Sequence, residues 1–310
     1  MKSNALSGRD LLAALLVVFI WGINFVIIKF ALRDFTPFQL GAVRFALAVF
    51  PLAIFIRPPR IHWKWLVGYG LLQGVGQFGL MFTALKVGMP AALASVLLQT
   101  QVFFTALFGF VLLREHASRQ LQTGLVLAAL GLVCFALNYV LPGAGGSGAS
   151  TLAGFVFILC AATMWAASNI LARRVQQENG DYSALAFVVW SSGTAIVPFI
   201  LLSFMFDDPA TRWRWLDAAW TSWLAAAYLG WLATLVGYGL WTGLLKRHPA
   251  NKVAPFSLGV PVVGLAAGMI VLGEVITPWQ WAGIALLVAA LVCVMLGGRL
   301  ADWLARSSAN

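Results

Sequence analysis

The stretch PAALASVLLQTQVFFTALFGFVLLRE (90–115) decides the fold, because it is an apolar run of membrane-spanning length that has a counterpart later in the chain. That counterpart is PANKVAPFSLGVPVVGLAAGMIVLGE (249–274), reached by an ungapped offset of 159 residues. Both segments begin with Pro-Ala and end with Glu, so Glu115 falls on Glu274. This self-similarity indicates that the chain is built from two related halves.

The composition of the whole chain indicates a membrane protein. Of its 310 residues, 61% are hydrophobic and only 10% are charged, whereas soluble domains carry about 25% charged residues. A helix needs about 20 apolar residues to cross the hydrocarbon core of a bilayer. Ten runs of that length occur, at residues 11–32, 36–56, 65–87, 90–113, 120–141, 151–174, 183–206, 220–245, 250–272 and 278–297.

The two halves are expected to have inverted topology. Tyr69 falls on Tyr228 at the offset of 159, and Trp21 meets Trp165 at an offset of 144 near the start of each half. The longer loop 207–220 accounts for the difference. Since each half has five runs, the second half enters the membrane from the opposite side. Inverted repeats are typical of secondary transporters, whose substrate sites lie near the midplane between the halves.

The expected fold class is therefore all-α integral membrane, with ten transmembrane helices as two inverted five-helix repeats around a central cavity. The expected division is a first five-helix repeat at 1–141, a Gly-rich linker at 142–150 that acts as a flexible joint, and a second repeat at 151–310. The first apolar run lacks an A-x-A cleavage pattern, so we expect it to be retained as span 1.

The basic residues predict the orientation of the chain. Of the 20 Lys and Arg residues, fourteen fall on one side of the predicted membrane, five on the other, and Arg44 within the second run. Cytoplasmic loops are enriched in Lys and Arg. Both termini are therefore expected to be cytoplasmic. The net charge of +10 is scattered over short connections and forms no basic patch, so no nucleic-acid partner is expected.

The sequence lacks the residues that several other classes of protein function require. The three cysteines, Cys134, Cys160 and Cys293, have no CxxC motif or histidine beside them, so neither a metal site nor a disulfide is expected. No GxxxxGK[ST] motif occurs, which excludes ATP hydrolysis by this chain itself. The three histidines are too dispersed for an intramembrane enzyme site. A channel is disfavoured because no charged ring or carbonyl filter motif is present. We expect no cofactor.

Five segments carry a family resemblance: WGINFVIIK (21–29), RFALAVFP (44–51), GMPAALASVLLQTQVFFT (88–105), VGYGLW (236–241) and VAPFSLGVPVVGLAAG (253–268). They resemble the EamA family of the drug/metabolite transporter superfamily. Within it, the chain looks most like the O-acetylserine and cysteine exporters of bacterial inner membranes.

The resemblance implies that spans 1–4 and 6–9 surround a central cavity, with spans 5 and 10 peripheral. It also implies that the substrate is a small amino acid or cysteine-pathway metabolite and that the protein lies in a lipid bilayer. A homodimer through the peripheral helices stays open. The alternatives are a broad-specificity or aromatic amino-acid exporter of the YddG type, or other drug/metabolite efflux with proton coupling. Shared architecture cannot decide among these substrates.

Polar and aromatic side chains inside the spans are the candidates for substrate binding, because such polar groups cost free energy unless they face a bundle interior or water. The amides suit the ammonium and carboxylate of an amino acid, and the aromatic rings suit its side chain. The alternatives are polar contacts between helices and, for the tryptophans, interfacial belts. The candidates are Trp21, Asn24, Gln73, Gln77, Gln99, Gln101, Trp165, Asn169, Tyr238 and Trp241.

Three charged residues are candidates for structural or gating roles. Arg44 lies within span 2, where no acidic side chain of comparable depth is available. It could attract a substrate carboxylate, or bind backbone carbonyls where a neighbouring helix ends, and we favour the second interpretation. Glu115 and Glu274 end spans 4 and 9 at equivalent points, where helix capping or an ion pair is favoured over a gate. The spacings Gly70xxxGly74, Gly239xxxGly243 and Gly264xxxGly268 are interpreted as helix-packing contacts.

The positions of the acidic residues and histidines restrict which energy source can drive transport. Every Asp and Glu falls at a helix end or in a connection, and the histidines fall in connections. The usual residues of a proton relay are therefore missing from the predicted spans. This favours facilitated diffusion or exchange, with the two halves rocking around the cavity.

Overall fold

The structure, a computed structural model, describes residues 7–50, 52–113, 118–141, 148–180 and 182–307. Every regular element in those ranges is helical. We number the membrane-crossing segments as spans 1 to 10 in chain order: Gly8–Ala31, Pro37–Val49 with Leu52–Phe55, 63–86, 91–113, Arg119–Val140, Gly148–Asn179, Ala184–Phe206, 220–247, 250–272 and Pro278–Ser307. Glu115 and residues 142–147 of the expected linker lie outside the described residues.

The outer faces of the bundle are apolar. Large aliphatic and aromatic side chains point away from the protein, for example Phe55, Met205 and Ile270, with 79%, 72% and 82% of their surface exposed. A water-soluble protein would cover such a surface, whereas lipid chains solvate it. The expected integral membrane fold, made of two five-span halves, is confirmed.

Span 3 differs from the other nine spans in its composition. Nine helices in the described ranges are long and apolar enough to cross a membrane by length and hydropathy. Span 3 is helical over 63–86 but falls outside that group. Gln73, Gln77 and several glycines lower its mean hydropathy. Both glutamines are buried inside the bundle, so span 3 crosses the membrane without presenting them to lipid.

Departures from α-helix occur at corresponding places in the two halves. Span 3 contains a π-helical segment at Gly70–Gly79, and span 8 contains one at Tyr228–Val236. Spans 4 and 9 each contain a short 3₁₀ segment, at Leu98–Thr100 and Ala254–Leu258. Such irregular turns inside helices are frequent at functional sites. They place the widened and tightened turns of four spans around the middle of the bundle.

The spans pack as a ring, with a separate pair beside it. Around the ring, span 1 contacts span 9, and the sequence of neighbours continues through spans 4, 6, 3, 7, 2 and 8 back to span 1. Spans 5 and 10 pack mainly against each other. A Cβ atom added to Gly131 of span 5 would lie 3.1 Å from the carbonyl oxygen of Gly283 in span 10, so these two backbones approach closely. Small residues permit such contacts in lipid.

Two helices continue past the apolar runs that defined them. Span 6 was expected at 151–174 and runs to Asn179, and span 10 was expected at 278–297 and runs to Ser307. Residues 175–179 are mostly polar but include good helix formers. Span 6 ends where Gly180 adopts a left-handed conformation with φ of 63°. Hydropathy detects only the apolar part of a helix.

Two hydrogen bonds join the connection after span 1 to the start of span 8. The Asp34 carboxylate accepts hydrogen bonds from the Ser222 hydroxyl at 2.7 Å and from the Ala219 backbone N–H at 3.1 Å. These two donors hold the pKa of the Asp34 carboxyl below its ordinary value. The charged form therefore stabilises the folded state.

We expect Asp34→Asn to lower the thermal stability of the purified protein modestly at neutral pH. A depressed folded-state pKa contributes stability above the unfolded pKa of about 3.9, and that contribution is lost as the pH falls through the folded value. The difference in melting temperature from the unmodified protein should thus be constant near neutrality and shrink below about pH 4. Melting curves of both proteins across this range measure it. A difference that grows on acidification would contradict the assignment.

Candidate functional site

A cavity of about 300 Å³ lies in the middle of the ring of spans. Its walls come from spans 1, 2, 3, 4, 6, 8 and 9, and therefore from both halves. The irregular segments of spans 3, 4, 8 and 9 all contribute residues to the wall. A volume of this size is at the lower end of the range for small-molecule sites.

All ten candidate substrate-binding residues line this one cavity, namely Trp21, Asn24, Gln73, Gln77, Gln99, Gln101, Trp165, Asn169, Tyr238 and Trp241. Arg44, which sequence analysis assigned to structure, lines it as well. Six further wall residues have apolar side chains, namely Phe25, Phe78, Met81, Leu98, Ala233 and Val260. The cavity thus combines amides, one cation and a largely apolar and aromatic surface.

One wall of the cavity is aromatic. The ring of Trp21 lies 5.2 Å from that of Tyr238 and 5.6 Å from that of Trp241, measured between centroids. The indole N–H of Trp21 donates a hydrogen bond of 2.9 Å to the carbonyl of Ala233, inside the π-helical segment of span 8. This bond fixes the indole toward the bundle centre and places it in the cavity wall.

Gln73 connects three spans. Its side-chain amide donates to the Tyr238 hydroxyl of span 8 at 3.0 Å, and its amide oxygen accepts from the Ser168 hydroxyl of span 6 at 2.9 Å. Both ends of this amide are therefore bonded to protein. The interpretation of Gln73 as a polar contact between helices fits this arrangement better than a free binding group.

The side chains of Gln101 and Asn169 are hydrogen-bonded to each other in the cavity wall. The Asn169 amide donates to the Gln101 side-chain oxygen at 2.9 Å and to the Thr105 hydroxyl at 3.2 Å. Beyond them lies a second cavity of about 400 Å³, whose wall includes Gln101, Asn169 and Arg173. The Gln101–Asn169 pair therefore separates the central cavity from a cavity on the Arg173 side of the bundle.

The remaining amides differ in how they are satisfied. Gln99 donates a long hydrogen bond of 3.4 Å to the carbonyl of Ser257, which joins the 3₁₀ segments of spans 4 and 9. Asn24 and Gln77 are buried, and neither the Oδ1 atom of Asn24 nor the Oε1 atom of Gln77 has a hydrogen-bond partner in the protein. Two residues of the cavity wall thus each have a buried amide oxygen without a hydrogen-bond partner.

Arg44 is 2% exposed and makes contacts that differ from those favoured by sequence analysis. One guanidinium nitrogen donates to the Thr234 hydroxyl of span 8 at 3.2 Å, and the group lies 3.9 Å from the centroid of the Phe78 ring. The Thr234 hydroxyl in turn donates to the Leu229 carbonyl. The guanidinium is therefore held by a hydroxyl and an aromatic face instead of by backbone carbonyls.

Glu274 closes the opposite side of the bundle from Arg173. Its carboxylate oxygens accept from the backbone N–H groups of Ala91 and Ala92, at 2.7 and 2.8 Å, at the start of span 4. Gly273, with φ of 66°, turns the chain after span 9 so that Glu274 reaches this helix end. Residues Ala91–Leu97 are all buried. The carboxylate caps span 4 from span 9 and thereby joins the two halves.

Two features of the cavity were missed from the sequence. Span 2 contributes Arg44 to the wall, although binding of backbone carbonyls was the favoured role for this residue. Span 7, which the resemblance placed around the cavity, packs behind spans 2 and 3 and contributes no residue to the described lining. The depth of Arg44 within an apolar run was the available signal, because an unpaired cation there needs a polar environment.

The comparisons with known proteins agree with this architecture. The profile of the EamA-like transporter family matches residues 9–137 and again residues 152–296. A solved crystal structure superposes with a TM-score of 0.58 at 18% sequence identity, and covers 96% of this chain and 100% of the other. At that identity the superposition shows the fold alone.

Two curated relatives are similar over nearly their full lengths. A protein of Salmonella typhimurium is 39% identical over 298 residues, 95% of this chain and 97% of the relative, and is named a probable amino-acid metabolite efflux pump. A protein of Escherichia coli with the same name is 37% identical, with 95% and 97% coverage. A 24% identical protein of Archaeoglobus fulgidus is named an uncharacterized transporter. The double profile match and these identities show that the chain belongs to the EamA-like transporter family.

Proposed function

We propose that this protein exports small amino acids and related metabolites, of the cysteine and O-acetylserine type, by alternating access. The observation that carries the proposal is the central cavity, whose wall is built from both halves and combines amides, one guanidinium and aromatic rings. A polar zwitterion with a small side chain needs hydrogen-bonding groups and an apolar surface together. The two relatives named amino-acid metabolite efflux pumps support this substrate class.

The proposed transport cycle uses the two ends of the cavity. The Glu274 cap and the buried start of span 4 close one end, and the Gln101–Asn169 pair separates the cavity from the space on the Arg173 side. With both termini cytoplasmic, as the basic residues predict, the Arg173 side faces the cytoplasm and the Glu274 side faces outward. Substrate would then enter past Gln101 and leave past Glu274, across the bacterial inner membrane.

A panel of labelled amino acids in proteoliposomes tests the function. We expect L-cysteine and O-acetyl-L-serine to show saturable flux that is accelerated by unlabelled substrate on the opposite side. L-Phenylalanine and L-lysine report on broader specificity. Flux that does not saturate would indicate a channel, and no flux for any amino acid in the panel would overturn the proposal.

We also propose that transport is driven by substrate gradients, as facilitated diffusion or exchange. The described lining of the cavity includes no Asp, Glu or His side chain. Proton-coupled carriers commonly use such groups. Export that depends strictly on an imposed pH gradient would contradict this part of the proposal.

One observation favours the aromatic amino-acid alternative of the YddG type. Trp21, Trp165, Tyr238 and Trp241 all line the cavity, and aromatic rings can stack on an aromatic substrate side chain. The small cavity volume favours the smaller substrates. In the panel, L-phenylalanine flux that exceeds L-cysteine flux at equal concentration would favour the alternative.

We expect Gln101→Ala to lower flux of the preferred substrate several-fold without lowering membrane expression. The change removes an amide from the cavity wall and leaves the Asn169 amide without its 2.9 Å acceptor. Initial rates in proteoliposomes with matched protein content measure the effect. Gln177→Ala, at an exposed position of span 6, is the control and should transport as the unmodified protein does. Unchanged flux in Gln101→Ala would remove this residue from the site.

A further inference from the structure

We propose that Arg44 binds the α-carboxylate of the transported amino acid and that Asn24 and Gln77 bind its ammonium group. The inference rests on the proposed function and assigns the two charged ends of the substrate to named side chains. It starts from the polar atoms of the cavity wall that the protein itself leaves unbonded.

The guanidinium of Arg44 has unused donors. Its contact with the Thr234 hydroxyl uses one terminal nitrogen, while the Nε and Nη1 atoms are buried and have no hydrogen-bond partner. A guanidinium carries five N–H donors in a planar fork that matches the two oxygens of a carboxylate. The Phe78 ring packs near the guanidinium, 3.9 Å from ring centroid to Cζ, and does not replace a hydrogen-bond acceptor. Arg44 therefore presents bonding capacity that only another acceptor can fill.

The charge of Arg44 also lacks a counter-ion in the wall. The described residues that line the cavity include no carboxylate side chain, and Arg44 has no ion pair among the described contacts. A buried cation without a partner is costly, and the cost falls when an anion is brought beside it. A substrate carboxylate supplies that anion, so binding relieves a penalty that the empty protein carries.

The complementary acceptors lie in the same wall. Asn24 Oδ1 and Gln77 Oε1 are buried amide oxygens without a donor, in contrast to the Gln73 amide, whose oxygen accepts one hydrogen bond and whose nitrogen donates one. An ammonium group has three N–H donors and needs such oxygens. Of the seven buried side-chain atoms without a partner in the described residues, four belong to Arg44, Asn24 and Gln77. A zwitterion would satisfy both sets of atoms. Its carboxylate would accept from the unbonded N–H groups of the guanidinium, and its ammonium group would donate to the unbonded amide oxygens.

Direct binding to purified protein tests the assignment. The probes are L-alanine, L-alaninamide, which lacks the carboxylate, and propionate, which lacks the ammonium group. L-Phenylalanine, its amide and 3-phenylpropionate form a second series with a large side chain. Quenching of tryptophan fluorescence reports binding, because three tryptophans line the cavity.

We expect the unmodified protein to bind the amino acid about 10- to 100-fold more tightly than its amide, the effect of a charge-assisted hydrogen bond. In Arg44→Gln, affinity for the amino acid should fall by the same factor, and the preference over the amide should disappear. Asn24→Ala and Gln77→Ala should weaken binding of the amino acid and its amide alike, with affinity for the carboxylate-only probe unchanged. Arg33→Gln, outside the cavity, is the charge-matched control and should bind as the unmodified protein does.

Two results would overturn the assignment: equal binding of amino acid and amide by the unmodified protein, or unaltered discrimination in Arg44→Gln. The ligand series on the unmodified protein keeps the test valid if Arg44→Gln does not fold, and Arg44→Lys then tests retention of charge without the planar fork. Amino-acid flux in proteoliposomes without carboxylate discrimination would refute this assignment and leave the proposed function standing. Neither flux nor binding of any amino acid would overturn both.

Discussion

Replacing Gly70 with leucine is expected to abolish the recovery of folded protein. Gly70 opens the π-helical segment of span 3 where that span crosses span 7. A Cβ atom there would collide with the Ser191 carbonyl oxygen and with the Thr194 hydroxyl. The carbonyl belongs to the helix backbone of span 7 and cannot rotate away, so the two spans must separate. Overpacking costs about 1–3 kcal/mol even where side chains can yield, and more where they cannot.

The measurement is the yield and melting temperature of detergent-purified protein by size-exclusion chromatography. Gly239→Leu provides the matched control, because no atom lies within 4 Å of a Cβ atom built at Gly239. This position was expected from its GxxxG spacing to pack against a helix, and the structure shows that it does not. Normal yield of Gly70→Leu would show that spans 3 and 7 are packed less closely than described.

Replacing Glu274 with alanine is expected to open the end of the cavity at which Glu274 lies. The substitution removes two charge-assisted hydrogen bonds to the N–H groups of Ala91 and Ala92. Each such bond contributes about 1.5–3 kcal/mol, and the two donors would be left unpaired at a buried helix end. A loss of about 3 kcal/mol from the closed state changes its ratio to the open state by about 100-fold.

Accessibility of a cysteine behind the cap measures this shift. In a background with Cys134, Cys160 and Cys293 replaced, Ser95→Cys places a thiol at a position that is 1% exposed. A membrane-impermeant thiol reagent applied from the Glu274 side should label it about 100-fold faster in Glu274→Ala. Glu178→Ala, at the exposed end of span 6, controls for removal of an acid and should not alter the labelling rate. Equal rates in both variants would show that the cap does not hold the closed state.

The sequence alone could predict the spans and most of the wall of the cavity. Apolar length and the 159-residue offset identify the helices, because side chains that face lipid must be apolar and backbone polar groups in the bilayer must be hydrogen-bonded within the protein. The polar candidates meet in one cavity for the same reason, since amides such as Gln77 and Asn24 can only face inward. The sequence could not show whether the amide of a given side chain is free or hydrogen-bonded to the protein. Gln73 is satisfied by Tyr238, 165 residues away, and only the fold brings the two together.

The missed features depend on packing between distant segments. The π-helical segments have no marker in local sequence, although Tyr69 directly precedes the first segment and its counterpart Tyr228 begins the second. The Arg44 guanidinium was expected to find backbone carbonyls, but Thr234, 190 residues later, supplies a hydroxyl that already donates to Leu229. The partner of Glu274 lies 183 residues earlier, so its capping role was one of several expectations.

Arg44, the single buried cation among the described residues of the cavity wall, has an electrical consequence for the membrane. A zwitterion has no net charge, so under the proposed assignment the net charge would be the same with substrate bound at Arg44 as without it. Steady export of zwitterions would therefore carry no current, and a membrane voltage would add nothing to the driving force. Voltage acts with about 2.3 kcal/mol per charge per 100 mV only on charges that move through the field. Because Arg44 lies at the level of the central cavity, rocking of the halves about that level would leave it nearly stationary in the field.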